Sequence, residues 1–223
     1  MQKQRKNRRR VCGQRIAMTA ARFVCIPLLL LYRMKRITPT GEPYKAKIHG
    51  GAILAANHTA FSDPFVIGVA FWYRRVYFLA AEAVMKGKLR SWLLKGVGAI
   101  RIDRYGADIE AIHKCVNTLK GGDTLSIFPQ GSIDRENQIH SLKSGVALIA
   151  LQAGVPIIPM HIVPPKHWYN RRVVVIGEPL DPKALVPKKF PTTADMEMIT
   201  DILLEEMNRC AAHQQGEEQY ANH

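Results

Sequence analysis

The sequence predicts an α/β fold: a single layered domain with a largely parallel sheet flanked by helices, preceded by a basic, amphipathic N-terminal segment. Three observations carry the prediction. From Gly50 onward, short apolar runs of four to seven residues, several rich in Val and Ile, alternate with stretches of helical spacing. Glycines and prolines punctuate the boundaries between the two kinds of run. The chain has 223 residues, 47% hydrophobic and 22% charged, which suits one domain with a substantial core. That composition excludes wholesale disorder, a collagen-like chain and a polytopic membrane protein.

The strands expected in order are Ala52–Ala56, Val76–Ala80, Ala99–Ile102, Thr124–Phe128, Ile157–Ile162 and Val173–Ile176. Pro64 follows Asp63 and suits the first turn of a helix just past the first of these strands. Ile109, Ile112, Val116 and Leu119 recur at helical spacing, and Gly121-Gly122 stops that helix. A second helix is expected over Ser141 to Ala153, ended by Gly154 and Pro156. A third is expected over Asp195 to Cys210, capped by Thr192 or Thr193, with Ile199, Ile202, Leu203 and Met207 turned inward. Pro179, Pro182, Pro187 and Pro191 make 178–192 a loop. The organisation read from this is a basic segment over 1–36, a domain over 37–212 and a polar tail over 213–223.

The net charge of +14 is concentrated at one end. Residues 1–36 carry 11 basic residues and no acidic one, whereas the remaining 187 hold 21 basic and 18 acidic. Such a head suits a polyanion: anionic lipid, nucleic acid or a phosphorylated ligand. Its longest apolar run, Phe23 to Tyr32, has ten residues and includes Pro27, about half of what a spanning helix needs. Arg22 interrupts the approach to that run and no small-residue cleavage pattern follows it, which argues against a signal peptide. At about 100° per residue, Arg15, Arg22 and Arg33 project to one side, as on a helix lying in a membrane interface. A re-entrant anchor and a plain charged tail are the other readings. Cys12, Cys25, Cys115 and Cys210 are far apart with no metal-ligand spacing, as expected of reduced cytosolic thiols.

Chemistry concentrates after the strand at Ala52–Ala56, where the sequence runs Asn57-His58-Thr59-Ala60-Phe61-Ser62-Asp63. Neutral imidazole takes a hydroxyl proton near neutral pH, so His58 is the best general-base candidate. A carboxylate five residues on, across a strand-to-helix turn, can hold its tautomer and stabilise the imidazolium. Strand ends of open α/β sheets are also where ligands bind. An N-cap aspartate beside a surface histidine would account for the same two residues. Three further segments add weight: Gly98-Ala99-Ile100-Arg101-Ile102-Asp103-Arg104, Phe128-Pro129-Gln130-Gly131-Ser132 and Val155-Pro156-Ile157-Ile158-Pro159.

In this order the blocks resemble the glycerolipid acyltransferases of the 1-acylglycerol-3-phosphate acyltransferase type. That family pairs Asn-His with an Asp five after the His, matched by Asn57, His58 and Asp63. Its Gly-x-Ile-x-Ile-Asp-Arg-like strand is matched by Gly98 through Arg104, and its Val-Pro-Ile-Ile-Pro by Val155 through Pro159. Leu142-Lys143-Ser144-Gly145 corresponds to its Phe-Lys-x-Gly element. Its Phe-Pro-Glu-Gly-Thr-Arg-Ser block is matched in part: Gln130 stands for the Glu, Ser132 for the Thr and Ile133 for the Arg. The resemblance covers roughly residues 45–180.

The resemblance implies transfer of an acyl group from a thioester, acyl-CoA or acyl carrier protein, to a lysophospholipid hydroxyl, with phosphatidate as the product when the acceptor is 1-acylglycerol-3-phosphate. His58 and Asp63 would be catalytic. Asn57, Arg104, Gln130, Gly131, Ser132 and Lys143 would contact substrate, Arg104 and Lys143 through phosphate and the Gly131–Ser132 turn through an oxyanion. No serine or cysteine is forced into a nucleophile's place, so direct attack is favoured over an acyl-enzyme. No metal or redox cofactor is implied; the thioester is a co-substrate. Gln130 and Ile133 leave the acceptor open to another lipid hydroxyl or amine. The resemblance also turns the cationic head toward the anionic cytoplasmic leaflet of a membrane and away from nucleic acid.

Overall fold

The computed structural model of the chain describes residues 34–81, 94, 98–103, 108–133, 139, 141–165 and 171–220. Residues 1–33 of the basic head, and Arg104, lie outside the described residues. The strands are β1 (Lys35–Ile37), β2 (Ala52–Ala56), β3 (Val76–Ala81), β4 (Ala99–Ile102), β5 (Thr124–Ile127), β6 (Ile157–Val163) and β7 (Val173–Ile176). The helices are α1 (Asp63–Ala70), α2 (Ile109–Lys120), α3 (Gly145–Ala153), α4 (Pro182–Leu185) and α5 (Thr193–Tyr220).

The seven strands form one sheet in the order β1-β7-β6-β2-β5-β3-β4. Every neighbouring pair is parallel except β6 and β7. Successive side chains of a strand point to opposite faces, and β2 shows the consequence. Ile53 and Ala55 enter one core with Leu125, Ile157, Cys115, Leu119, Val146, Ile199 and Leu203. Ala52, Leu54 and Ala56 enter the other with Ile67, Phe71, Ile158, Met160 and Val174. All five residues of β2 are buried, as a central strand covered on both faces requires.

The expected strands are present within a residue or so, and the differences have local causes. The three-residue β1 has no periodicity to read; its pairing with β7 is what makes it a strand. Residues 141–144, expected as the first turn of α3, are instead fastened to the preceding block by the Lys143 N–H, which donates to the Pro129 carbonyl at 2.9 Å. Inside the proline-rich loop, Asp181 caps the short α4 by accepting from the Lys183 N–H at 3.0 Å. Thr192 and Asp195 cap α5 reciprocally: Asp195 accepts from the Thr192 N–H and hydroxyl, and Thr192 accepts from the Asp195 N–H. That helix continues past Cys210 to Tyr220.

Parallel strands bring their carboxyl ends to one edge of the sheet. The ends of β2, β3, β4, β5 and β6 all lie there, so the segments after Ala56, Ile102 and Ile127 meet one region of space. The opposite edge is closed by Arg74, whose guanidinium donates to the carbonyls of Gly50 and Gly122 and to the Thr124 hydroxyl.

Candidate functional site

Asn57 is the first residue beyond β2 and is buried. Its side-chain amide donates to the Ile162 carbonyl at 3.1 Å and accepts the Ile162 N–H at 2.6 Å, extending the β2–β6 pairing by one side chain. Asn57, grouped with the substrate contacts on sequence grounds, bonds the β6 backbone through both ends of its amide. Its part is to end β2 at a fixed height, so that the chain turns off the sheet at His58.

The turn places His58 and Asp63 together. His58 Nδ1 lies 3.0 Å from Asp63 Oδ2, and the same oxygen accepts the N–H groups of Thr59 at 2.7 Å and Ala60 at 2.8 Å. An aspartate that only capped α1 would face outward, but Asp63 is buried, and Ser62, at the cap position, makes no side-chain capping bond. A carboxylate oxygen accepting from three N–H groups holds the imidazole in the tautomer with hydrogen on Nδ1, an assignment made from the bonding pattern. Nε2 then carries the lone pair, as a general base requires.

Two residues of the Phe128–Ser132 block complete the arrangement. The Phe128 ring stacks on the His58 imidazole with centroids 4.2 Å apart and planes at 21°. Gln130 accepts the His58 backbone N–H through Oε1 at 3.0 Å. The ring stack and the Gln130 contact lie between residues 70 or more positions apart, and nothing in the local sequence signals them.

The turn after β5 closes through the Gly131 N–H, which donates to the Phe128 carbonyl at 3.0 Å. The Gly131 N–H, one of the groups in the turn expected to face an oxyanion, is thus engaged in closing that turn. Gly131 has φ of 78°, the left-handed region that favours glycine. A β-carbon there would stand 2.9 Å from Lys143 Cε and 3.3 Å from Lys143 Nζ. The exposed Lys143 side chain therefore lies over the turn, and the blocks at His58, Gln130 and Lys143 converge. Ser132 is exposed beside them. Arg104, the other expected phosphate contact, is not among the described residues.

Cys115 and Cys210 are buried free thiols, each pushed up to about 12 by loss of hydration. Neither is a nucleophile at neutral pH. Among the described residues no three His, Cys, Asp or Glu side chains converge as a metal site would require. Nor, among those residues, is any helix long and apolar enough to cross a membrane.

Comparison with known proteins gives a consistent picture. Residues 36–163 match the family model described as Acyltransferase. A 1-acyl-sn-glycerol-3-phosphate acyltransferase of Bacillus subtilis is 26% identical over 166 residues, which cover 71% of this chain and 82% of the relative. One of Streptococcus pneumoniae is 32% identical over 135 residues, 58% of this chain and 50% of that relative's length. The crystal structure of the 1-acyl-sn-glycerophosphate acyltransferase of Thermotoga maritima superposes with a TM-score of 0.52 at 22% identity, covering 78% of this chain and 72% of the other. That superposition bears on the fold.

Proposed function

The chain belongs to the acyltransferase family, and from that premise we propose that it transfers a fatty acyl group to the free hydroxyl of 1-acylglycerol-3-phosphate, giving phosphatidate. The donor in this reading is a thioester, acyl-CoA or acyl carrier protein. The acceptor comes from the names of the Bacillus and Streptococcus relatives. The observation that carries the mechanism is the contact between His58 Nδ1 and the buried Asp63 carboxylate, at the end of a central strand.

In the proposed reaction, the acceptor hydroxyl gives its proton to His58 Nε2 as its oxygen attacks the thioester carbonyl. The new C–O bond leaves a tetrahedral intermediate with charge on the former carbonyl oxygen. Collapse breaks the C–S bond, and the departing thiolate takes the proton back from the imidazolium. Asp63 keeps the ring oriented and offsets the positive charge while it exists. The Lys143 ammonium, lying over the Gly131 turn, supplies positive charge to the oxyanion or to the acceptor phosphate. Lipid acceptor and product reside in a bilayer, so the enzyme works at a membrane surface, and the reduced cytoplasmic face fits its free buried thiols.

The test is mass spectrometry of products from purified protein, acyl-CoA or acyl carrier protein, and a panel of lysolipids in detergent. A diacyl product from lysophosphatidate that disappears in His58→Ala establishes reaction and base together. Product from a different acceptor alone assigns the change to Gln130 and Ile133. Absence of any His58-dependent product with either donor overturns the proposal.

A further inference from the structure

Phe128 opens the block to which Gln130 and Gly131 belong, and its side chain continues the alternation of β5. Leu125 and Ile127 enter one core, whereas Phe128 is half-buried and packs against the other. Pro129 confines the residue before it to extended backbone, so the alternation is kept where the strand ends. On the neighbouring β2, Leu54 and Ala56 face the same core, and His58 is the next residue of that parity. The register sets Ala55 beside Ile127, and one step further sets Ala56, with only a methyl side chain, beside Phe128. The Phe128 ring therefore has room to reach the imidazole, and the two centroids lie 4.2 Å apart with the planes at 21°.

The placement is held from several sides. The Gly131 N–H donates to the Phe128 carbonyl at 3.0 Å, and the Lys143 N–H donates to the Pro129 carbonyl at 2.9 Å. Gln130 accepts the His58 N–H at 3.0 Å, so the backbones that carry the two rings are tied to each other. Around the imidazole, Asp63 occupies the Nδ1 edge and Phe128 covers one face, and 13% of the His58 side chain is left exposed. Two neutral rings lying nearly face to face gain less than offset or edge-on rings do, because their quadrupoles oppose each other. A cation over the same face is attracted by that quadrupole, within about 6 Å of the centroid. The stack therefore strengthens when the ring takes up a proton, a gain made in the transition state and not in the ground state.

We propose that Phe128 is a positioning residue for the reaction. Its ring holds the plane of the His58 imidazole, so that the Nε2 lone pair is aimed at the acceptor hydroxyl, and its face steadies the positive charge while His58 carries the proton. The inference rests on His58 as the base and adds the group that, with Asp63, sets how the base is aimed. Asp63 Oδ2 is shared with the N–H groups of Thr59 and Ala60, and one bond at one ring atom lets the imidazole tilt. A second ring against its face removes that freedom.

Two measurements test it, and the first needs no turnover. Full-length protein carrying isotope-labelled histidine is followed by nitrogen NMR in mildly alkaline buffer, with the His58 signals identified by their loss in His58→Gln. The parent is expected to show one protonated and one bare ring nitrogen. Phe128→Leu removes the ring and keeps apolar bulk; it is expected to average the two nitrogens toward each other, and Phe128→Tyr to keep them apart. The second measurement is acylation of lysophosphatidate. There Phe128→Leu is expected to lower kcat at least about tenfold, with KM changed less than about twofold, and Phe128→Tyr to recover most of the loss. Thermal unfolding is run on every variant, and Phe128→Met takes the place of Phe128→Leu if the latter does not fold. Two well-separated nitrogens in the leucine variant, a smaller loss of kcat, a change confined to KM, or a tyrosine variant as impaired as the leucine one would each overturn the proposal. Acylation left intact in His58→Gln would instead overturn the reading of His58 as the base, and the nitrogen spectra would still decide whether Phe128 holds the ring.

Discussion

The Gln130 side chain accepts the backbone N–H of His58, 72 positions earlier, at 3.0 Å. The contact ties the turn after β5 to the turn after β2, and it acts on the His58 main chain while Asp63 acts on the ring. A glutamine does this as well as a glutamate, because the bond needs only an acceptor oxygen.

Gln130 is thereby placed to position His58, and its variants separate that part from the substrate binding expected of it on sequence grounds. Gln130→Ala leaves the His58 N–H without this acceptor, and kcat is expected to fall by about tenfold to a hundredfold with a smaller change in KM. Gln130→Glu restores an acceptor oxygen and is expected to recover most of kcat. A KM effect that dominates in both variants would instead make Gln130 a substrate contact.

Asp63→Asn keeps the shape of the side chain but removes the carboxylate that holds Nδ1 protonated. The expected loss in kcat is about a hundredfold to ten-thousandfold, at nearly unchanged KM. Steady-state kinetics with thermal unfolding in parallel checks it. A loss explained entirely by unfolding would demote the pair to a structural contact.

Gly51→Ala tests how the candidate site's strand is seated. A β-carbon at Gly51 would meet the Leu119 carbonyl at the end of α2, at 2.2 Å, and backbone cannot yield as a flexible side chain can. The variant is expected to lose about 2–3 kcal/mol, a fall of roughly 5–10 °C in Tm. Calorimetry decides, and an unchanged Tm would mean that α2 moves away from β2 freely.

The cap of α5 predicts an acid limit. Asp195 is lowered to about 2, first by its bond from Lys188 and then by the Thr192 N–H and hydroxyl. A depressed carboxyl contributes stability that is present above the unfolded value near 4 and lost as pH falls through the folded value near 2. Tm should decline between pH 4 and 2, and decline less in Asp195→Asn. Parallel curves for parent and variant would remove Asp195 from the acid transition.

Much of this was open to sequence reading because it is periodic or local. Runs such as Ala52–Ala56 and Val173–Ile176 announce strands by composition, and Ile109 to Leu119 announces a helix by spacing. His58 and Asp63 lie five residues apart around one turn, so their meeting is a local event. The three-residue β1, the antiparallel placement of β7 and the short α4 carry no such signal, because each exists only through its neighbours.

What the sequence determined by itself is the alternation of elements, the charge imbalance between head and body, and the histidine–aspartate turn, all of which depend on residues close along the chain. The tertiary structure alone decided that Asn57 is bound to the Ile162 backbone, that Gln130 holds the His58 backbone, that Lys143 lies over the Gly131 turn, and that Phe61, Phe65 and the start of β1 share one edge. The reason is the sheet. Parallel strands with crossover helices carry segments tens of residues apart to one edge, and which groups meet there is set by strand order and register, which no local pattern encodes.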